Sequence, residues 1–167
     1  MSPNPNNTAA FLRLNEEMDA SSGQLRYDPI SSNLFFDLPD ADKEVIRCTV
    51  LKRLETNDER IVSFAFKIGD LKIVDYIHSE LKNGSRPIHW VITATYCMFQ
   101  KTKDFKWLNN LVDLICDDNI PVSTRRLAFS YVANEQLDDN MKENLLDLYS
   151  RVIDTPLKIR LAKKLEI

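Results

Sequence analysis

Apolar side chains recur at every third or fourth position along most of this chain. In the stretch 71–81, for example, they fall at Val74, Ile77 and Leu81, which is the period of an amphipathic helix. Polar residues interrupt such runs at short intervals. No segment sustains the alternation of apolar and polar residues that marks a half-buried strand. The pattern therefore predicts an all-α fold with about eight amphipathic helices.

Capping residues predict where these helices begin and end. Asp40 and Asp104 precede apolar runs, and an aspartate in that place accepts hydrogen bonds from the free N–H groups of the first turn. The segment 56–59 has the sequence of a capping box, which predicts a helix start near Thr56. Gly69 and Gly84 follow apolar runs, and glycine adopts the left-handed conformation that ends a helix.

The segment Pro87–Phe99 is the most apolar part of the chain and is predicted to be a buried helix. Successive helix starts are irregularly spaced, and no residue signature is found to recur at a fixed period. Two arrangements remain open. One is an irregular bundle around this helix, and the other is a stack of antiparallel helix pairs that resembles degenerate HEAT or armadillo units. That resemblance concerns architecture alone and implies no function.

The N-terminal residues differ in character from the rest. Residues 1–38 are predicted to form a flexible or extended arm, and residues 39–167 a single helical domain. The arm ends in an aromatic stretch that contains Phe35 and Phe36. These two side chains are too apolar to remain in water, so they either pack on their own domain or bind a partner. Packing on the same chain is the preferred alternative.

Composition limits the class of protein. The chain is 44% hydrophobic and 28% charged, which is typical of a soluble globular protein. A net charge of −3 argues against binding of a polyanion by the whole surface. Three cysteines without CxxC spacing fit reduced, buried thiols in the cytoplasm or nucleus. No segment reaches the roughly 20 apolar residues of a membrane helix, so no membrane partner is expected. The oligomeric state is left open.

The polar residues form no recognisable catalytic pattern. His89 lies in the apolar segment, and its neighbours at helical spacing, Ser85 and Thr93, include no orienting carboxylate. It is therefore predicted to be structural, and His78 to be a half-exposed surface residue. No phosphate loop, dinucleotide fingerprint or metal-ligand spacing is present. We expect no enzyme activity, no catalytic residues, no cofactor and no metal site.

Three groups of basic residues remain as candidates for partner binding. The first is interleaved with aromatic residues in the stretch 101–107, the second is a pair in the stretch 125–126, and the third lies near the end of the sequence. Lysines beside aromatic rings can neutralise phosphates while the rings stack on bases. The candidate partner-binding residues, together with the two aromatic residues of the arm, are Phe35, Phe36, Lys101, Lys103, Lys106, Arg125, Arg126, Lys158, Arg160, Lys163 and Lys164.

These observations favour a non-catalytic adaptor, a helical module that binds another protein in a groove between helices. The alternative is an RNA-associated or nucleoprotein-associated helical protein, viral or RNA-handling, that uses a basic patch. The two hypotheses separate on whether the basic groups converge on one surface and on whether captured partners survive treatment with nuclease.

Overall fold

The computed structural model describes residues 8–20 and 29–167, and helix accounts for 78% of these residues. No strand is found in these two ranges, so the predicted all-α class is confirmed. Ten α-helices pack against one another, where about eight were predicted, because two short helices precede Asp40. The helices are α1 (Ala9–Asp19), α2 (Ser32–Phe36), α3 (Asp40–Arg53), α4 (Glu59–Ile68), α5 (Leu71–Asn83), α6 (Ile88–Thr102), α7 (Phe105–Cys116), α8 (Val122–Val132), α9 (Asp139–Arg151) and α10 (Thr155–Leu165).

Contacts divide the chain into two compact units, which meet in sequence inside α6, between Ala94 and Thr95. Compactness alone does not define an independently folding domain. The predicted division into an arm, 1–38, and one helical domain, 39–167, therefore stays a prediction.

The core of the first unit includes side chains from the two helices that precede Asp40. Phe11, Leu14 and Met18 of α1 are buried, and so is Phe35 of α2. Arg60 fixes the end of α1, since its guanidinium donates hydrogen bonds to the main-chain oxygens of Glu17 and Ala20 at 3.4 and 3.1 Å. The described part of the predicted arm thus packs on its own unit.

The second unit consists of the end of α6 and two helical hairpins. The segment 117–121 joins α7 to α8, and the segment 152–154 joins α9 to α10. The two helices pack together within each hairpin, and α7 packs against α9 of the next hairpin. The buried side chains that hold this unit together include Leu108, Leu111, Phe129, Leu145 and Leu161.

Most of the predicted helix ends are confirmed. The Asp104 carboxylate accepts a hydrogen bond from the Lys106 N–H, and Gly69 and Gly84 end their helices with φ near +70°. Asp40 is the first residue of α3, as predicted, but its carboxylate does not cap the helix, because Pro39 is the capping residue and no side chain bonds the first turn. The predicted start at Thr56 is wrong. Asp58 caps α4 instead, because its carboxylate reaches the Arg60 N–H at 3.0 Å, while the Thr56 hydroxyl bonds back to the carbonyl of Arg53.

A recurring signature, which the sequence analysis did not find, becomes visible once the caps are known. Asp70, Asp104 and Asp138 cap α5, α7 and α9 and are spaced by 34 residues. The third and seventh residues after each cap are buried. Those positions are occupied by Ile73, Trp107 and Met141, and by Ile77, Leu111 and Leu145. The period was missed because burial recurs at these positions while residue identity varies.

Candidate ligand-binding groove

A surface groove of about 490 Å³ lies between α8 and α10 in the second unit. Serine, alanine and asparagine side chains of α8 and the stretch after it form one wall. Three basic residues of α10 dominate the other wall, and the Phe129 side chain lies at the base. The residues that line the groove are Phe129, Ser130, Ala133, Asn134, Arg160, Lys163, Lys164 and Glu166.

Helical spacing explains why the basic residues of α10 share one face. The helix begins after Asp154, whose carboxylate accepts a hydrogen bond from the Leu157 N–H at 2.8 Å. Leu157 and Leu161 are fully buried and fix the rotation of the helix. Residues three and four apart are neighbours on a helix surface, so Arg160 comes to lie beside Lys163 and Lys164.

Arg160 differs from the other arginines in the described ranges because it has no ion-pair partner. The remaining eight described arginines each form an ion pair with a carboxylate. Those arginines are Arg13, Arg47, Arg53, Arg60, Arg86, Arg125, Arg126 and Arg151. An exposed guanidinium next to two ammonium groups therefore keeps its full charge available to a ligand.

Lys164 is anchored rather than free. Its Nζ donates a hydrogen bond to the main-chain oxygen of Glu135 at 2.5 Å. Burial lowers the pKa of Lys164, and the nearby carboxylates of Glu135 and Glu166 partly oppose this effect. The Lys164 ammonium thus holds the end of the groove in place, and Arg160 and Lys163 remain for a ligand.

Glu135 also organises a polar cluster beside the groove. Its Oε1 accepts hydrogen bonds from the Tyr96 hydroxyl and from the Gln100 amide, both at 2.7 Å. The Tyr96 ring stacks on Tyr131 with ring centres 4.7 Å apart. Burial, and secondarily the bond to Glu135, raise the pKa of Tyr96 to about 12. This cluster connects α6 to the segment that follows α8.

The second basic group, Arg125 and Arg126, does not line this groove. Arg125 is buried, and its guanidinium bonds the carbonyl of Ile115 at 2.7 Å and the carboxylate of Asp118 at 2.9 Å. Arg126 pairs with Asp154 through two nitrogens. Both arginines therefore bind groups of their own chain, and their charges are neutralised there.

The first basic group lies at the junction of α6 and α7. Lys101, Lys103 and Lys106 are exposed. The ammonium of Lys103 lies over the ring of Phe99, and that of Lys106 lies over the ring of Trp107 and within 2.8 Å of Asp104. Lys103 and Lys106 thus already interact with aromatic rings or a carboxylate of their own chain.

The remaining candidates are dispersed. Phe35 is buried in the first unit, whereas Phe36 is half exposed and touches the edge of the Phe35 ring. Lys158 lies over the ring of Tyr149. The structure therefore brings together Arg160, Lys163 and Lys164, and none of the other six candidates of the second unit lines the groove with them. Sequence reasoning missed Ser130 and Asn134, because no local signal shows which helix faces α10.

The histidine of the apolar segment lies at the surface rather than in the core. Half of the His89 side chain is exposed, and its Nε2 lies 3.7 Å from a carboxylate oxygen of Glu59. That carboxylate comes from α4, so the sequence around His89 gave no sign of it. His78 is partly exposed, as predicted. Within the described ranges, no three or more His, Cys, Asp or Glu side chains are grouped to bind a metal ion.

The three thiols are free, but they are not uniformly buried as predicted. Cys48 is exposed, because it lies on the outer face of α3, opposite Ile46 and Val50. Cys116 donates a weak hydrogen bond to the carbonyl of Asn144, and burial raises its pKa to about 11. Cys116 is therefore held as a thiol at neutral pH, which makes it a poor nucleophile.

Comparison with known proteins identifies no relative. No family model matches the chain, and neither a curated protein nor a solved structure shows significant similarity to it. Among the residues that the structure describes, no helix is both long enough and apolar enough to cross a bilayer.

Proposed function

We propose that this chain is a non-catalytic adaptor, a helical module that binds a protein partner in the cytoplasm or nucleus. The unpaired guanidinium of Arg160, placed in a groove between two consecutive hairpins, carries this proposal. A charged group in a concave site that has no partner on its own chain is available to bind a group of a partner.

Polar side chains outside the groove form contacts that hold helices together, which supports a structural role for them. Arg86 bonds Glu80 at 2.5 Å and the Tyr76 hydroxyl at 2.8 Å, and it lies over the ring of Trp90. Its guanidinium thus connects α5 to the start of α6. Glu135 plays a comparable part in the second unit. Arg86 and Glu135 therefore hold helices together. This use of the polar groups favours binding, rather than catalysis, as the function of the unpaired cations in the groove.

An RNA-associated function is the second candidate, because Phe105 is half exposed among three exposed lysines. An exposed ring beside ammonium groups is able to stack on a base. Against this, the Phe105 ring packs on the edge of Phe99 at 5.9 Å, and two of those lysines contact rings or carboxylates of the chain. The arginine pair is likewise neutralised, so the protein-binding function is favoured.

Affinity capture separates the two candidates. The full chain, immobilised through a tag, is incubated with cell lysate that has or has not been treated with nuclease. Chemical cross-linking of the eluted complexes then maps the contact sites. We expect protein partners that survive nuclease and that cross-link to Lys163 or Lys164. Partners lost with the nuclease, cross-linked around Lys101–Lys106, would support the RNA-associated candidate. Absence of any nuclease-resistant partner would contradict the proposed function.

A further inference from the structure

We propose that the groove between α8 and α10 binds an extended acidic segment of a protein partner, with two carboxylates, two residues apart, on Arg160 and Lys163. This inference rests on the proposed function and adds the chemistry of the partner to it.

Charge complementarity is the first argument. Residues 95–167 contain eleven basic and eleven acidic residues, so the unit as a whole is balanced. The groove is not balanced, since three cations line it against the single carboxylate of Glu166. Lys164 is held by the carbonyl of Glu135, whereas Arg160 and Lys163 have no hydrogen-bond or ion-pair partner in the described chain. The unit as a whole has no net charge, but the groove is positively charged and therefore favours a negatively charged ligand.

The spacing of the two free cations fits a peptide in extended conformation. Residues three or four apart on a helix have Cβ atoms about 5–6 Å apart. In an extended chain, side chains on the same face recur every two residues, at about 6.6 Å. Two acidic residues separated by one residue therefore reach Arg160 and Lys163 together. The guanidinium of Arg160 has the planar fork that a carboxylate bonds through both oxygens.

The opposite wall offers groups that suit a peptide main chain. The Asn134 side chain is exposed and carries both a donor and an acceptor, which is what an extended backbone presents in turn. The Ser130 hydroxyl donates to the carbonyl of Leu127 at 2.6 Å, so its oxygen remains able to accept. Uncharged donors and acceptors along one wall and cations along the other match a strand of peptide with acidic side chains.

The base of the groove distinguishes this ligand from a nucleic acid. Phe129, the aromatic residue of the lining, is 1% exposed and presents no ring face on which a base could stack. Single-stranded nucleic acids gain much of their affinity from such stacking. A peptide does not need it, so the groove favours carboxylates on a peptide over phosphates on an oligonucleotide.

Binding of defined probes to the full chain tests this inference. The probe is a fluorescently labelled peptide of sequence Glu-Ala-Glu-Ala-Glu. Its binding to the full chain is measured by fluorescence anisotropy at low ionic strength. The Gln-Ala-Gln-Ala-Gln peptide and a single-stranded RNA oligonucleotide are the comparison ligands. The variants Arg160→Gln and Lys163→Gln each remove one charge from the groove. Lys72→Gln, at an exposed lysine of α5 that does not line the groove, removes the same charge elsewhere. Circular dichroism confirms that each variant remains folded.

We expect the glutamate peptide to bind and the glutamine peptide not to bind. Each groove variant should weaken binding about tenfold or more, as loss of a charge-assisted hydrogen bond does, and Lys72→Gln should leave binding unchanged. Absence of binding, or equal loss in all three variants, would overturn the proposal. Tighter binding of RNA that depends on Arg160 and Lys163 would overturn it as well, and would assign the groove to nucleic acid.

The same variants distinguish a failure of this inference from a failure of the adaptor function on which it rests. If Arg160→Gln loses the glutamate peptide but retains every nuclease-resistant partner from lysate, the groove is not the partner site and the adaptor function stands. If the unaltered chain captures no such partner, the adaptor function itself fails.

Discussion

The hydroxyl of Tyr96 is partly buried and donates a hydrogen bond to the carboxylate of Glu135. Its pKa is raised to about 12, first by burial and then by the hydrogen bond to Glu135. A tyrosine in the unfolded chain ionises near pH 10. Between about pH 10 and pH 12 the folded chain keeps a proton that the unfolded chain has lost. The contribution of Tyr96 to stability is therefore complete below pH 10 and declines as the pH rises toward 12.

Alkaline titration of tyrosinate absorbance measures this effect. Tyr96→Phe should remove the ionisation step near pH 12, and Tyr149→Phe, outside the cluster, should leave it in place. A step near pH 12 that persists in Tyr96→Phe would show that another residue is responsible.

Two aspartates should respond in opposite ways to replacement by alanine. Asp42 of α3 is 0% exposed, and neither of its carboxylate oxygens has a hydrogen-bond partner among the described residues. A buried carboxyl group without partners has lost its bonds to water and gained none. Asp42→Ala should therefore leave the free energy of unfolding unchanged or increase it, as measured by urea denaturation.

Asp70 is the comparison for that experiment. Its carboxylate caps α5 by accepting hydrogen bonds from the N–H groups of Lys72 and Ile73 at 2.9 and 3.3 Å. Asp70→Ala should lower the free energy of unfolding by about 1 kcal/mol, the usual effect of losing a helix cap. A larger loss in Asp42→Ala than in Asp70→Ala would mean that the Asp42 carboxylate is bound by a group that the described residues do not reveal.

At the scale of elements, substitutions in α1 test whether this helix packs on the first unit in solution. Leu14 is 0% exposed and Leu12 is 55% exposed on the same helix. If α1 packs on the first unit in solution, Leu14→Ala should lower the free energy of unfolding by about 2–5 kcal/mol. Leu12→Ala should change it by less than about 0.5 kcal/mol. Equal and small effects of the two substitutions would favour the flexible arm that the sequence predicts.

Helix ends were predictable because their signals are local. An aspartate at a cap bonds an N–H two or three residues later, and a glycine at φ near +70° acts on its own turn. The cap of α3 and the start of α4 were exceptions. Thr56 and Asp58 both have side chains able to cap, but Thr56 ends a 3₁₀ turn over residues 54–56 and Asp58 caps α4.

At the scale of the whole molecule, the candidate site was only partly predictable. The cations of α10 follow from helical spacing, so Arg160, Lys163 and Lys164 could be placed on one face. Their meeting with Ser130 depends on packing between residues about 30 positions apart, which no local pattern encodes. The same holds for the pairing of Arg126 with Asp154, two residues that lie 28 positions apart.

The 34-residue spacing of Asp70, Asp104 and Asp138 also bears on how quickly the chain acquires its structure. The two hairpins of the second unit, which begin at the caps Asp104 and Asp138, each join consecutive helices through a segment of a few residues. Little chain entropy is therefore lost when the two helices of a hairpin meet. Proteins dominated by such short-range contacts fold in microseconds to milliseconds. An unfolded molecule is therefore expected to regain its hairpins soon after denaturant is removed, and to expose its apolar helix faces only briefly.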